Sequence, residues 1–221
     1  VPDEQRKLKP KDFDIGMDVV AEMIEAITVF ENLLFITEKA GLFKFELGQI
    51  MRDYIGDVQI VTDFSHLREE ICERFHQLLG KIVAKAKADN PGTEPEIYLV
   101  AHSEGTVISF LCLLQALDGF HIRARAQDAS NSKYDWIRHV RGLMTIGSPI
   151  DKHLALWPAL WKDFTHLSCS VDEQGEVVFT RNGQVHGKLK SPIKWRNYFD
   201  RADPVGSRLD WAAELLESRQ C

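Results

Sequence analysis

The chain has 221 residues, 44% of them hydrophobic and 27% charged, which suits one packed domain and excludes a disordered chain. The formal net charge is −6, and basic residues gather only in RKLKPK near the start and KIVAKAKA at 81–88, so a nucleic-acid partner is not expected. No apolar run reaches the ~18 residues of a membrane span. The longest candidate, 15–36, is interrupted by Asp18, Glu22, Glu25, Glu31 and Asn32, and peripheral membrane contact remains compatible with the composition.

In chain order, residues 1–14 read as a polar linker. Over 15–36 the apolar residues Val19, Val20, Met23, Ile24, Ile27, Phe30 and Leu34 step by three and four, which predicts a helix. That helix either covers the core or forms a lid with Phe30, Leu33, Leu34 and Phe35 over an apolar substrate. A short helix is expected over 45–54 and a strand over 57–61. Leu67, Ile71, Phe75, Leu78, Leu79, Ile82 and Val83 form one helical stripe beginning near Ser65, with Asp63 or Ser65 as the cap. Asp89–Glu96 is dense in turn formers and ends it.

Residues 97–101, IYLVA, form a continuous apolar run, the pattern of a parallel strand buried on both faces. From Ser103 to Leu117 apolar residues occupy nearly every side of a helix, so that helix should be buried. Residues 118–140 read as loop, GLMTIG (142–147) as a second buried strand, and LALWPALWKDF (154–164) as a short or kinked helix around Pro158. Trp157 and Trp161 fit core packing or a pocket wall. EVVFT, RNG and QVHGKL predict a hairpin turning at Asn182-Gly183, an excursion around 168–190. WRNYF (195–199) is a third main strand, and Ser207 with Asp210 starts a last helix as a capping box. Strand–helix alternation gives an α/β class with a mostly parallel sheet flanked by helices.

Between the apolar run 97–101 and the apolar helix stands His102-Ser103-Glu104-Gly105. A sharp strand-to-helix turn centred on Ser103 would lift its hydroxyl above the sheet. Small residues are wanted two positions either side, where Ala101 and Gly105 stand. The turn places Ser103 at a helix N-terminus, where the Glu104 N–H and the dipole would favour an oxyanion. The alternative is a serine that only caps the helix.

The order of three motifs resembles the serine lipase/esterase branch of the α/β-hydrolase superfamily, including GPI-inositol-deacylase-like and related lipase domains. IYLVAHSEGT is similar to the nucleophile elbow, with Ala101 in place of the first Gly of G-x-S-x-G. GLMTIGSPID is similar to the next strand and its turn. WRNYFDRADPVGS is similar to the following strand and the loop that carries the triad acid. The resemblance covers about residues 57–210. It implies an α/β-hydrolase fold, Ser103 as nucleophile, Asp203 as triad acid with Asp200 as the fallback, and the Glu104 N–H as oxyanion donor. It implies no cofactor and no metal. Ser148 and Asp151 fit either a pocket lining or a plain turn.

Two parts of that family's machinery have no counterpart. The family order places a histidine after the acid, and the eight histidines here are 66, 76, 102, 121, 139, 153, 166 and 186. His102 is expected to point away from the pocket and pack under the turn. No early strand with a second oxyanion donor is legible in 1–60. The expectation is therefore a single domain over 1–221, lacking early strands and a histidine segment that lie outside this sequence.

The function so implied is hydrolysis of a small-molecule or lipid ester through an acyl-enzyme on Ser103. Amidase or thioesterase chemistry would use the same nucleophile. The contrasting expectation is a degenerate hydrolase scaffold used for binding or assembly. Cys72, Cys112, Cys169 and Cys221 form no metal-binding spacing, and Cys72 and Cys112, which lie within apolar helical patterns, suggest buried free thiols in a reducing, cytoplasmic setting. Substrate identity and oligomeric state are not legible.

Overall fold

The computed structural model describes residues 56–124, 133–164, 167–181, 184–200, 203 and 205–217. The expected helices over 15–36 and 45–54 lie outside the described residues. The architecture is mixed α/β. Its elements are α1 (Ser65–Asp89), β1 (Ile97–His102), α2 (Glu104–Ala124), β2 (Val140–Ile146), α3 (Ile150–Leu156), β3 (Leu167–Val171), β4 (Val177–Arg181), β5 (Gln184–Leu189), β6 (Lys194–Tyr198) and α4 (Asp210–Glu217). Short 3-10 helices cover Asp135–His139, Pro158–Leu160 and Lys162–Phe164.

β1, β2 and β6 form a parallel sheet in that order. Val100, Met144 and Arg196 stand in register, as do His102, Ile146 and Tyr198. All three carboxyl ends therefore reach one edge, where the loops after Ile146 and Tyr198 meet the start of α2. β3, β4 and β5 form a separate antiparallel sheet. The expected excursion is thus a three-stranded unit. Its first strand is short and follows a helical stretch, so its alternation is hard to see in sequence.

Two apolar clusters hold these layers. In one, Leu79 and Val83 of α1 and Leu113 of α2 pack with Trp136, Val140 and Leu143, and the antiparallel sheet adds Phe179 and Leu189. In the other, Phe110 and Leu111 of α2 meet Ile150, Trp161, Leu209 and Ala212. α2 contributes to both, which explains why apolar residues surround it. Burying an aromatic such as Phe110 contributes on the order of 1.5–3 kcal/mol.

Several local expectations change. Residues 56–62 are helical rather than a strand, and Val61 is buried in the second cluster. α1 is preceded by Phe64 and has no side-chain cap, so neither Asp63 nor Ser65 serves. Part of the expected loop after residue 117 is helix, and Trp136 and Ile137 are buried just before β2. β1 is not buried on both faces. Tyr98 and Val100 are 65% and 66% exposed, while Ile97 and Ala101 on the opposite face are buried. The helices cover one face of the sheet at β1, and a continuous apolar run hides that alternation.

Candidate active site

The turn at Ser103 is set by its backbone. Ser103 has φ 52°, the only positive φ at a non-glycine among the described residues. Such a conformation costs an L-residue about 1–2 kcal/mol, so it persists only where the surroundings impose it. They do so on both sides. The Ser103 N–H donates to Ile146 O at 3.0 Å, continuing the strand pairing. The Thr106 N–H and hydroxyl donate to Ser103 O at 2.9 and 2.7 Å, closing the first turn of α2. The side chain is half-buried, and Glu104 is the first residue of α2. Its N–H belongs to the group of amides that a helix N-terminus leaves without an intrahelical partner. Gly105 is exposed, and a Cβ added there would meet nothing within 4 Å. Its small size is therefore not a steric requirement of the turn, while Ala101 on the strand side is buried.

A second layer locks the turn to the neighbouring strand ends. Because Thr106 donates its hydroxyl proton to Ser103 O, buried Ser148 donates to Thr106 Oγ1 at 2.7 Å. Ser148 O accepts from Ser207 N at 3.1 Å. Gly147 N donates to Tyr198 O at 2.9 Å. Deeper down, Trp195 Nε1 donates to Thr145 Oγ1, which donates to Asn197 Oδ1, whose amide donates to Ser207 O. Ser207 thus belongs to this lattice and does not cap α4. Ser148 is a buried connector within it and lines no open surface.

Asp203 stands over the end of β2. Its Oδ1 accepts from Val205 N at 2.9 Å. Its Oδ2 lies so close to two glycines that a Cβ on Gly147 would stand 2.8 Å from it and one on Gly206 2.6 Å from it. Gly147 also has φ 56°, a region that suits glycine. The paired glycines let the carboxylate settle onto bare backbone one residue beyond Ile146, the residue that Ser103 N–H contacts. Asp200 lies at the start of this loop, exposed, and accepts from Asp203 N through its carbonyl at 3.1 Å. Asp203 is thus seated at the edge that holds Ser103, and Asp200 begins the same loop two residues beyond Tyr198.

The histidines divide clearly. His102 is exposed and does not pack under the turn; its Nε2 would be 3.8 Å from a Cβ on Gly147, on the same side as Asp203 Oδ2. Among the described residues, the sheet face that carries β1's outward side chains is open there. His76 is 1% exposed in the core, bonded to Gln115 Oε1 at 3.0 Å. His139 is held at Pro95 O. His153, 1% exposed, places Nε2 3.2 Å from Glu104 Oε2. Among the described residues no imidazole is hydrogen-bonded to Asp203.

Sequence reading missed the α3 contacts. Asp151 accepts from Trp211 N and Ala212 N at 2.7 and 2.8 Å and so caps α4 from 60 residues away. Lys152 Nζ donates to Val205 O at 3.1 Å. The only local signal is three chargeable residues in a row, one residue after the Ser148-Pro149 turn. Trp161 is a core residue against Phe110, and Trp157 stacks near His153 at 4.9 Å between ring centres. Among the described residues no helix is long and apolar enough to cross a membrane, and no cluster of His, Cys, Asp and Glu is placed to hold a metal. Comparison with protein-family models, with curated proteins and with solved structures gives no match.

Proposed function

We propose that this chain carries an α/β-hydrolase-type site and cleaves a carboxylic ester, as lipases and esterases do, through an acyl-enzyme on Ser103. The observation that carries the reading is the left-handed Ser103, φ 52°, between a parallel strand and a buried helix. A serine that merely caps a helix has no need of this conformation, since capping residues sit in the β-region. In this reading Ser103 Oγ attacks the acyl carbon, and its proton passes to an imidazole that Asp203 orients. The Glu104 N–H stabilises the oxyanion; loss of one such donor slows reactions of this class on the order of 10²–10³-fold. Water then releases the acyl group. The ester preference comes from likeness of motifs, and an amide or thioester would react by the same steps. A cytoplasmic setting belongs to the reading as an expectation: buried free Cys72 and Cys112 agree with it, whereas the disulfide at Cys169 does not.

A fluorophosphonate probe tests the nucleophile. The chain should be labelled at Ser103, and Ser103→Ala should abolish labelling; persistent labelling of that variant removes Ser103 from the mechanism. His102→Gln is the informative companion, because His102 is the exposed imidazole on Asp203's side of Gly147. Full labelling of that variant would place the base elsewhere.

A second reading is a binding module on the same scaffold without catalysis. What favours it is Asp203 without a bonded imidazole among the described residues. Absence of labelling in a folded chain, with ester binding retained, would select it.

A further inference from the structure

Asp151, Lys152 and His153 are 1%, 6% and 1% exposed. Three chargeable side chains in succession on a helix of seven residues are nearly all removed from water. Lys and Asp are rarely buried so completely unless paired. Consecutive residues on a helix point about 100° apart, so the three reach different neighbours. Asp151 accepts from the Trp211 and Ala212 amides at the start of α4. Lys152 donates to Val205 O, in the same loop where Val205 N donates to Asp203 Oδ1. His153 meets Glu104, the residue next to Ser103, with both carboxylate oxygens 3.2 Å from Nε2.

Apolar residues of similar volume would fill these positions without the desolvation cost, and such exchanges are often neutral or stabilising in other proteins. Packing alone therefore does not account for the triplet. What charge adds is direction. Each bond fixes one segment of the site relative to α3, and α3 itself continues from β2 through the Gly147-Ser148-Pro149 turn.

We propose that Asp151, Lys152 and His153 are positioning residues that set where the Asp203 loop stands relative to the Ser103 turn. Lys152 holds the loop and His153 holds the turn, so the separation of carboxylate and serine is measured out along one short helix. The catalytic consequence rests on the serine-hydrolase reading; the geometric claim does not.

The test uses the full chain and two readouts, amide hydrogen exchange and the rate of fluorophosphonate labelling. Lys152→Met should speed exchange at Val205 and Gly206 while exchange in α1 stays unchanged. It should slow labelling on the order of 10²-fold, the scale of a ~1 Å misplacement, and Lys152→Arg should recover part of the rate. His153→Leu should speed exchange at Ser103–Thr106. If that variant fails to fold because Glu104 is left alone, the double variant Glu104→Leu/His153→Leu restores an apolar contact. It should fold yet label as slowly as Lys152→Met. Unchanged exchange at both segments, or wild-type labelling by the folded double variant, overturns the proposal. A wild-type chain that is never labelled overturns the hydrolase reading instead, and the exchange measurements still judge the positioning.

Discussion

Gly206→Ala probes the close approach that seats Asp203. A Cβ there would stand 2.6 Å from Asp203 Oδ2, 2.7 Å from Gly147 Cα and 3.1 Å from Gly147 C. Two of these three atoms are backbone of the turn after β2, which Tyr198 O and Ser207 N hold on both sides through Gly147 N and Ser148 O. The new methyl cannot be relieved by a rotamer change at one flexible side chain, so the loop or the turn must move. Overpacking of this kind costs about 1–3 kcal/mol. For a chain of this size each kcal/mol lowers the melting point by about 2–4 °C, so a fall of roughly 2–12 °C is expected. The control is Gly80→Ala in the interior of α1, where an added Cβ meets nothing within 4 Å. There alanine should stabilise by about 0.5–1 kcal/mol. Thermal unfolding followed by circular dichroism on both variants reads the contrast. A Gly206→Ala protein that melts at or above the wild type would refute the argument that the glycine exists to admit the carboxylate.

Strain at the turn can be read from two variants that both lack the hydroxyl: Ser103→Gly should melt higher than Ser103→Ala by the equivalent of about 1 kcal/mol, because only glycine escapes the Cβ clash at φ 52°. Equal melting points would show that Ser103 is not strained. Stability should also fall as pH drops. Burial pushes the His76 imidazole below its usual range, and burial does the same to His139. Below the ordinary imidazole value of about 6.5 the unfolded chain binds protons that the folded chain refuses, so stability is full above that pH and declines beneath it. Urea unfolding between pH 8 and pH 5 should show this slope, and His76→Gln should flatten it; an unchanged slope in that variant would exclude His76 as a source.

Much of the candidate site was legible because its signals are local. A strand, a turn and a helix in direct succession leave their periods in adjacent residues, and Ser103 between two apolar runs needed no distant partner to be noticed. Asp203 was singled out by its motif, whereas its seat on Gly147 and Gly206 appeared only in the structure. The opposite holds for α4. Ser207 and Asp210 have the spacing of a capping box, yet Ser207 is drawn into a bond with Ser148 and the cap comes from Asp151. A spacing of three residues suggests a cap, but it cannot say which oxygen arrives first.

The sequence by itself determined the α/β alternation, the positions of the three parallel strands, the buried character of α2 and the place of the serine turn. Each of these follows from side-chain periodicity within a dozen residues, where chain connectivity fixes the geometry. Only the tertiary structure decided that one face of β1 is open, that residues 56–62 are helical, that His102 stands in solvent near Asp203, and that three consecutive charges on α3 are buried. Those outcomes depend on contacts some 50 to 60 residues apart, such as Lys152 with Val205 and His153 with Glu104. Over that distance the energy of a charge is set by what surrounds it after folding, and the order of residues along the chain carries no record of those surroundings.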